Sequence, residues 1–192
     1  MKNRGFTLIE VMIVLALFGA IVAFGVPRLF KKDNNIKAVA RNFVVMSREI
    51  RNKARLTNST YRIAVNMEAN EEKYWIERAN GFQTVDLQAA EKEKEKEDQK
   101  AEDAPPPLFK VDKSVKEKKL PTGLRVSSVE TINMKAPQTT GTAYVYFFPE
   151  GFVEAAAVQI SNDKVTWTLV FNPLTGQADI IEKAQSLKDI QR

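Results

Sequence analysis

One stretch constrains this chain more than any other: Phe6 to Val26, FTLIEVMIVLALFGAIVAFGV, where Thr7 and Glu10 are the only clearly polar side chains. Those 21 residues, as a helix rising about 1.5 Å per residue, span roughly 31 Å, close to a hydrocarbon core of about 30 Å. Lys2 and Arg4 precede the run, and Arg28, Lys31 and Lys32 follow it. Charge on both flanks blunts the bias that orients a spanning helix. The short basic start still favours a cytoplasmic N-terminus with the larger C-terminal part exported.

Three readings account for such a run. A secretory signal needs a small-x-small cleavage site at its far end, and AIVAFGVP offers no good one. An uncleaved anchor explains the length but not Glu10, because an acidic group at the centre of a spanning helix costs about 2.5–3.5 kcal/mol, and less near an end. The third reading explains it. Hydrolysis of the Gly5–Phe6 bond creates an α-amine with a reference pKa of about 7.7–8.0, and residues four apart share a helix face. Glu10 and that ammonium, within one chain or between neighbours, would offset each other's desolvation. The carboxylate would then set the register between packed helices.

At these residues, KNRGFTLIEVMIVLALFGAIVAFGVPRL, the chain resembles the type IV pilin and pseudopilin family. The resemblance rests on the Gly5–Phe6 junction, the Thr7-Leu8-Ile9-Glu10-Val11 continuation and Pro27 where the apolar run ends. It implies that a prepilin peptidase cuts after Gly5, that the new N-terminal Phe6 is N-methylated, and that Glu10 is needed for filament assembly. It also implies inner-membrane lipid around the helix before assembly, and other pilins or pseudopilins against it afterwards. The expected organisation is a leader over 1–5, a transmembrane and assembly helix over 6–27, its amphipathic continuation over 28–57, and a periplasmic β domain over 58–192.

Pro27 lacks a backbone N–H and disfavours helical geometry at Val26, so a kink is expected there. Beyond it Ile36, Val39, Ala40, Phe43, Met46, Ile50 and Ala54 recur at spacings of three and four. They form one apolar stripe to about Leu56, the seam that packs on a sheet. The opposite face carries Lys37, Arg41, Arg48, Arg51 and Arg55, read as solvated. Asn58-Ser59-Thr60 ends the helix.

Strands are expected at Tyr61–Val65 and Tyr74–Ile76, with a turn over Glu68–Glu71 between them. From 86 to 119 the composition shifts to AEKEKEKEDQKAEDAPPP and its flanks, a balanced polyampholyte that buries too little surface to offset its ordering entropy. A mobile surface insertion is expected there. Further strands are read at Leu124–Ile132, Thr142–Phe148, Val153–Ile160, Val165–Phe171 and Ala178–Ile181. Phe148-Pro149-Glu150-Gly151, Asn162-Asp163 and Asn172–Gly176 form the turns. Val165, Trp167, Leu169 and Phe171 share one strand face, predicted to be core. The fold class is therefore α+β, a long N-terminal helix packed on an antiparallel β domain.

The segments YVYFFPEGFVEAAAVQI and KVTWTLVFNPLTGQADI resemble the end of the H-type minor pseudopilins of type II secretion, and the related minor type IV pilins. The resemblance implies a structural subunit that starts or caps a short pseudopilus for export across the outer membrane. A minor pilin serving pilus biogenesis or DNA uptake is the alternative.

Composition narrows the other classes. Cysteine and histidine are absent, so no disulfide, zinc finger, Cys–His dyad or Ser–His–Asp triad can be built. No nucleotide-binding glycine pattern or G-x-S-x-G is present. Glu150 and Glu154 flank one turn, where an acid–base pair is the remaining catalytic option. Asp179, Glu182 and Asp189 are too scattered for a calcium loop, and no cofactor or metal is expected. The net charge of +5 falls by two if Lys2 and Arg4 leave with a leader. Tyr144, Tyr146 and Phe148 with the basic helix face are the features a nucleic acid would use. Alternating aromatics are ordinary in a strand, so nucleic acid is not the expected partner. An assembly subunit is expected rather than an enzyme.

Overall fold

The structure, a computed structural model, describes residues 8–69, 71–85, 108–162 and 164–190, with backbone only over 23–35. Helix α1 (Leu8–Thr57) leads into β1 (Ser59–Asn66), β2 (Lys73–Asn80), β3 (Lys110–Val111), β4 (Lys118–Lys119), β5 (Arg125–Thr131), β6 (Thr142–Phe147), β7 (Ala156–Ser161), β8 (Thr166–Phe171) and β9 (Ala178–Ile181). A four-residue helix, α2 (Leu187–Ile190), closes the chain. Asn58, at φ +46, stops α1 in the left-handed region that asparagine tolerates, and Ser59 and Thr60 already belong to β1.

The strands form two antiparallel sheets. The first has the order β3-β2-β1-β6 with β4 also on the edge of β2, and the second has the order β5-β7-β8-β9. The stripe on α1 does what its spacing predicts. Ile36, Val39, Ala40, Phe43, Met46, Ile50 and Ala54 are all buried, in one core with Ile63, Ile76, Val145 and Phe147 of the first sheet and Val129, Ile160, Leu169 and Phe171 of the second. The helix is thus the shared wall of both sheets. Phe43 meets Tyr74 with ring centroids 4.5 Å apart, and burial pushes the Tyr74 phenol up to about 12 because its phenolate has no water to solvate it.

Every residue of β1 is buried, so both faces of this central strand are covered. Tyr61, Ile63 and Val65 face the helix core. On the other face Arg62, 4% exposed, lies between the rings of Phe109 at 4.0 Å and Tyr144 at 3.9 Å. Its Nε donates to Glu77 Oε2 at 2.6 Å, and Nη1 donates to Tyr146 Oη at 3.3 Å. Burial disfavours the guanidinium charge, but the Glu77 carboxylate and the tyrosine oxygens outweigh that and raise its pKa above the ordinary arginine value. Trp75 Nε1 donates to the other Glu77 oxygen at 2.7 Å.

The mobile insertion expected over 86–119 is corrected over its last part, where residues 108–119 are structured. Residues 86–107 lie outside the described residues, whereas β3 pairs Val111 with Glu77 and β4 pairs Lys119 with Lys73. Three apolar side chains supply the reason. Phe109 packs with Ala79 and Tyr146 on the outer face, and Val115 and Leu120 pack against the main core, so this return wraps the β2 edge. Lys53 of α1 holds its turn, with Nζ 2.9 Å from Ser114 Oγ and 3.8 Å from Asp112 Oδ2.

A second correction concerns Val165. It is 41% exposed and precedes β8, because it closes the hairpin. Val165 O accepts from Asn162 N–H at 3.0 Å, and Asn162 Oδ1 accepts from Val165 N–H at 2.8 Å. Trp167, Leu169 and Phe171 are buried as predicted. The strand expected over Val153–Ile160 begins at Ala156, since Val153 and Glu154 instead bond with Pro173 and Tyr146.

Candidate functional site

The first half of α1 carries no stripe. From Leu8 to Val22 every residue is exposed, and the large apolar side chains range from 46% exposure at Val22 to 81% at Leu8. A helix apolar on all sides belongs in a membrane or among other helices. Eleven such side chains, at about 1.5–3 kcal/mol each for full burial, represent on the order of 15–30 kcal/mol of gross driving force toward an apolar environment. Among the described residues no helix is long and apolar enough to cross a membrane. The described side chains of this run end at Val22, short of the Phe6–Val26 stretch.

Of the residues singled out in the sequence, Glu10 is described. It lies in the first turn of α1, exposed, among Leu8, Ile9, Val11 and Met12. Gly5 and Phe6 lie outside the described residues, and Pro27 lies within the backbone-only part of α1. The helix bounds run through Pro27.

The basic face of the second half proves heterogeneous. Arg41 and Arg48 are exposed, and Lys37 Nζ lies 5.7 Å from the centre of the Trp167 ring. Arg51, read from sequence as solvated, is half-buried. Its Nε donates to Gly151 O at 2.7 Å and its Nη2 to Leu174 O at 3.3 Å. The signal was present: Phe43, Ser47, Arg51 and Arg55 form a row at spacing four along the margin of the stripe, and Ser47 is buried.

The two carboxylates of the possible acid–base pair sit in opposite environments. Glu150 is exposed. Glu154 is 5% exposed and accepts from Asn133 Nδ2 at 2.8 Å and from Tyr146 N–H at 3.3 Å. Burial raises the Glu154 pKa more than these donors lower it. It joins the turn after β5 to β6. Glu130, also buried, accepts from Ser186 Oγ and Leu187 N–H, both at 2.9 Å, and so caps α2. Among the described residues no three acidic side chains converge as a metal site.

Residues 1–26 match the family described as the prokaryotic N-terminal methylation motif. No curated protein matches the chain by sequence. Among solved structures, the chain is similar to the minor pseudopilin EpsH from the type 2 secretion system of Vibrio cholerae. That match has a TM-score of 0.51 and 11% identity, and covers 79% of this chain and 99% of that one. A crystal structure of the same Vibrio cholerae protein gives 0.48 and 13%, with 80% and 97% covered. This chain therefore has the fold of a minor pseudopilin, behind an N-terminal segment that carries the prokaryotic methylation motif.

Proposed function

We propose that this chain is a minor pseudopilin, a structural subunit and not an enzyme, that helps start or cap the pseudopilus of a type II secretion system. The observation that carries the reading is the exposed apolar first half of α1, bearing Glu10 and joined without a break to a helix that forms the wall of a folded β head. The methylation motif and the pseudopilin fold support it.

In this reading the precursor sits in the inner membrane with its N-terminus cytoplasmic and its head periplasmic. A prepilin peptidase cuts between Gly5 and Phe6, and Phe6 is methylated on its new amine. Extraction from lipid trades one apolar environment for another, so hydrophobicity alone gives little preference for the filament. The pairing of Glu10 with a Phe6 ammonium supplies direction and register. Pro27 provides a bend between the embedded and head-bearing halves.

The minor type IV pilin alternative differs in partners rather than in this chemistry. Its DNA-uptake form draws no support from the aromatics of β6. Tyr146 is buried and Tyr144 is stacked on Arg62, so their faces serve the sheet.

Mass spectrometry of the protein from its native host tests the processing step. The expected product begins at a methylated Phe6, and an intact Met1 start or trimming well beyond position 6 would overturn the reading.

A further inference from the structure

Two turns that end different sheets meet at one helix side chain. Phe148–Gly151 follows β6 of the first sheet, and Asn172–Gly176 joins β8 to β9 of the second. Val153 N–H donates to Pro173 O at 3.0 Å, which holds the turns edge to edge, and the Arg51 guanidinium donates to a carbonyl in each. The seat is shaped for these stems. Gly151 and Gly176 lie at φ +90 and +63. A Cβ on Gly176 would collide with Arg51 Cδ, and one on Gly151 would lie 2.9 Å from Arg55 Cδ. Glycine is thus required at both turns for backbone conformation, and at Gly176 also for space beside the anchored Arg51 stem.

We propose that Arg51 is a positioning residue that fastens both sheets to the C-terminal end of α1, so that head and helix move as one body. The apolar stripe sets which face of α1 is buried, but hydrophobic burial is non-directional and tolerates sliding and rocking along the seam. Two charge-assisted hydrogen bonds from one rigid fork are directional and close that freedom. The proposal rests on the assembly reading only for its consequence: a filament built by helix packing places its heads where α1 carries them.

The test is hydrogen–deuterium exchange on the full chain in detergent, comparing wild type with Arg51→Met, Arg51→Lys and Gly176→Ala. Arg51→Met keeps an apolar stem and removes the donors. Exchange in 148–153 and in 172–177 is expected to rise together by about tenfold, the factor for losing one charge-assisted bond, with β1, β2 and β7 unchanged. Gly176→Ala, which displaces the Arg51 stem, is expected to give the same two-turn pattern. Arg51→Lys retains a charged donor nitrogen but not the two-nitrogen fork and is expected to give a smaller version, which keeps the test available if Arg51→Met does not fold. Acceleration in one turn alone, in neither, or equally across all strands would sink the proposal. None of these measurements involves a filament, so they stand apart from failure of cleavage or assembly.

Discussion

Glu154 and Asp112 carry opposite pH signatures, and both follow from their surroundings. Burial raises the Glu154 carboxyl above its ordinary 4.5 despite the Asn133 and Tyr146 donors. The folded state therefore holds that proton more tightly than the unfolded chain does. The resulting stability is present below the ordinary value and is lost as pH rises through the folded one. Glu154→Gln removes this slope, so in denaturant titrations its stability relative to wild type is expected to improve as pH rises from the ordinary glutamate value through the folded one. Asp112 is the reverse case. Partial burial pushes it up, but the Ser114 hydrogen bonds and Lys53 hold it below its ordinary 3.8. Its contribution is present above that value and lost as pH falls through the folded one. At Arg62 the prediction concerns pairing. Arg62→Met leaves the Glu77 carboxylate buried and is expected to cost about 3–5 kcal/mol, whereas adding Glu77→Leu recovers most of that loss. Chemical denaturation of the single and double variants reads the difference.

At the scale of elements, the two halves of α1 are physically different objects within one continuous helix. The second half presents one apolar face and buries it within its own chain. The first half is apolar all round and buries almost nothing. Glu10→Ala is expected to abolish assembly while leaving membrane insertion intact, because removing a carboxylate only makes the segment more apolar. Membrane fractionation alongside filament recovery checks both arms. The return over 108–120 is the other element whose behaviour turns on a few side chains. Phe109→Ala removes a ring seated on Arg62 and against Tyr146, at 5.7 Å between ring centroids, and is expected to cost about 3–5 kcal/mol. The same change should raise proteolysis within 108–120 before the rest of the head is cut.

For the whole molecule, periodicity carried a long way. The seven-residue stripe on α1 and most strands were legible from 3.6- and 2-residue patterns, because burial is enforced locally along each element, and the apolar run was legible as an unbroken stretch without a stripe. Sequence alone separated a helix that needs an apolar environment from a head that supplies its own core. What it could not place were side chains whose role depends on residues about 100 positions away, as Arg51 does through Gly151. On a helical wheel that arginine is one more charge at the margin of a stripe. Only the closing of both sheets on α1 brings two glycine turns to it and converts a solvated cation into a fastener. The edge of the charged segment was hidden for a related reason. Phe109, Val115 and Leu120 are too widely spaced to look like an element, and only the free edge of β2 and the guanidinium of Arg62 give them somewhere to go. Local periodicity reports which face of an element must leave water, whereas long-range hydrogen bonds and edge pairings exist only once the chain has folded back on itself.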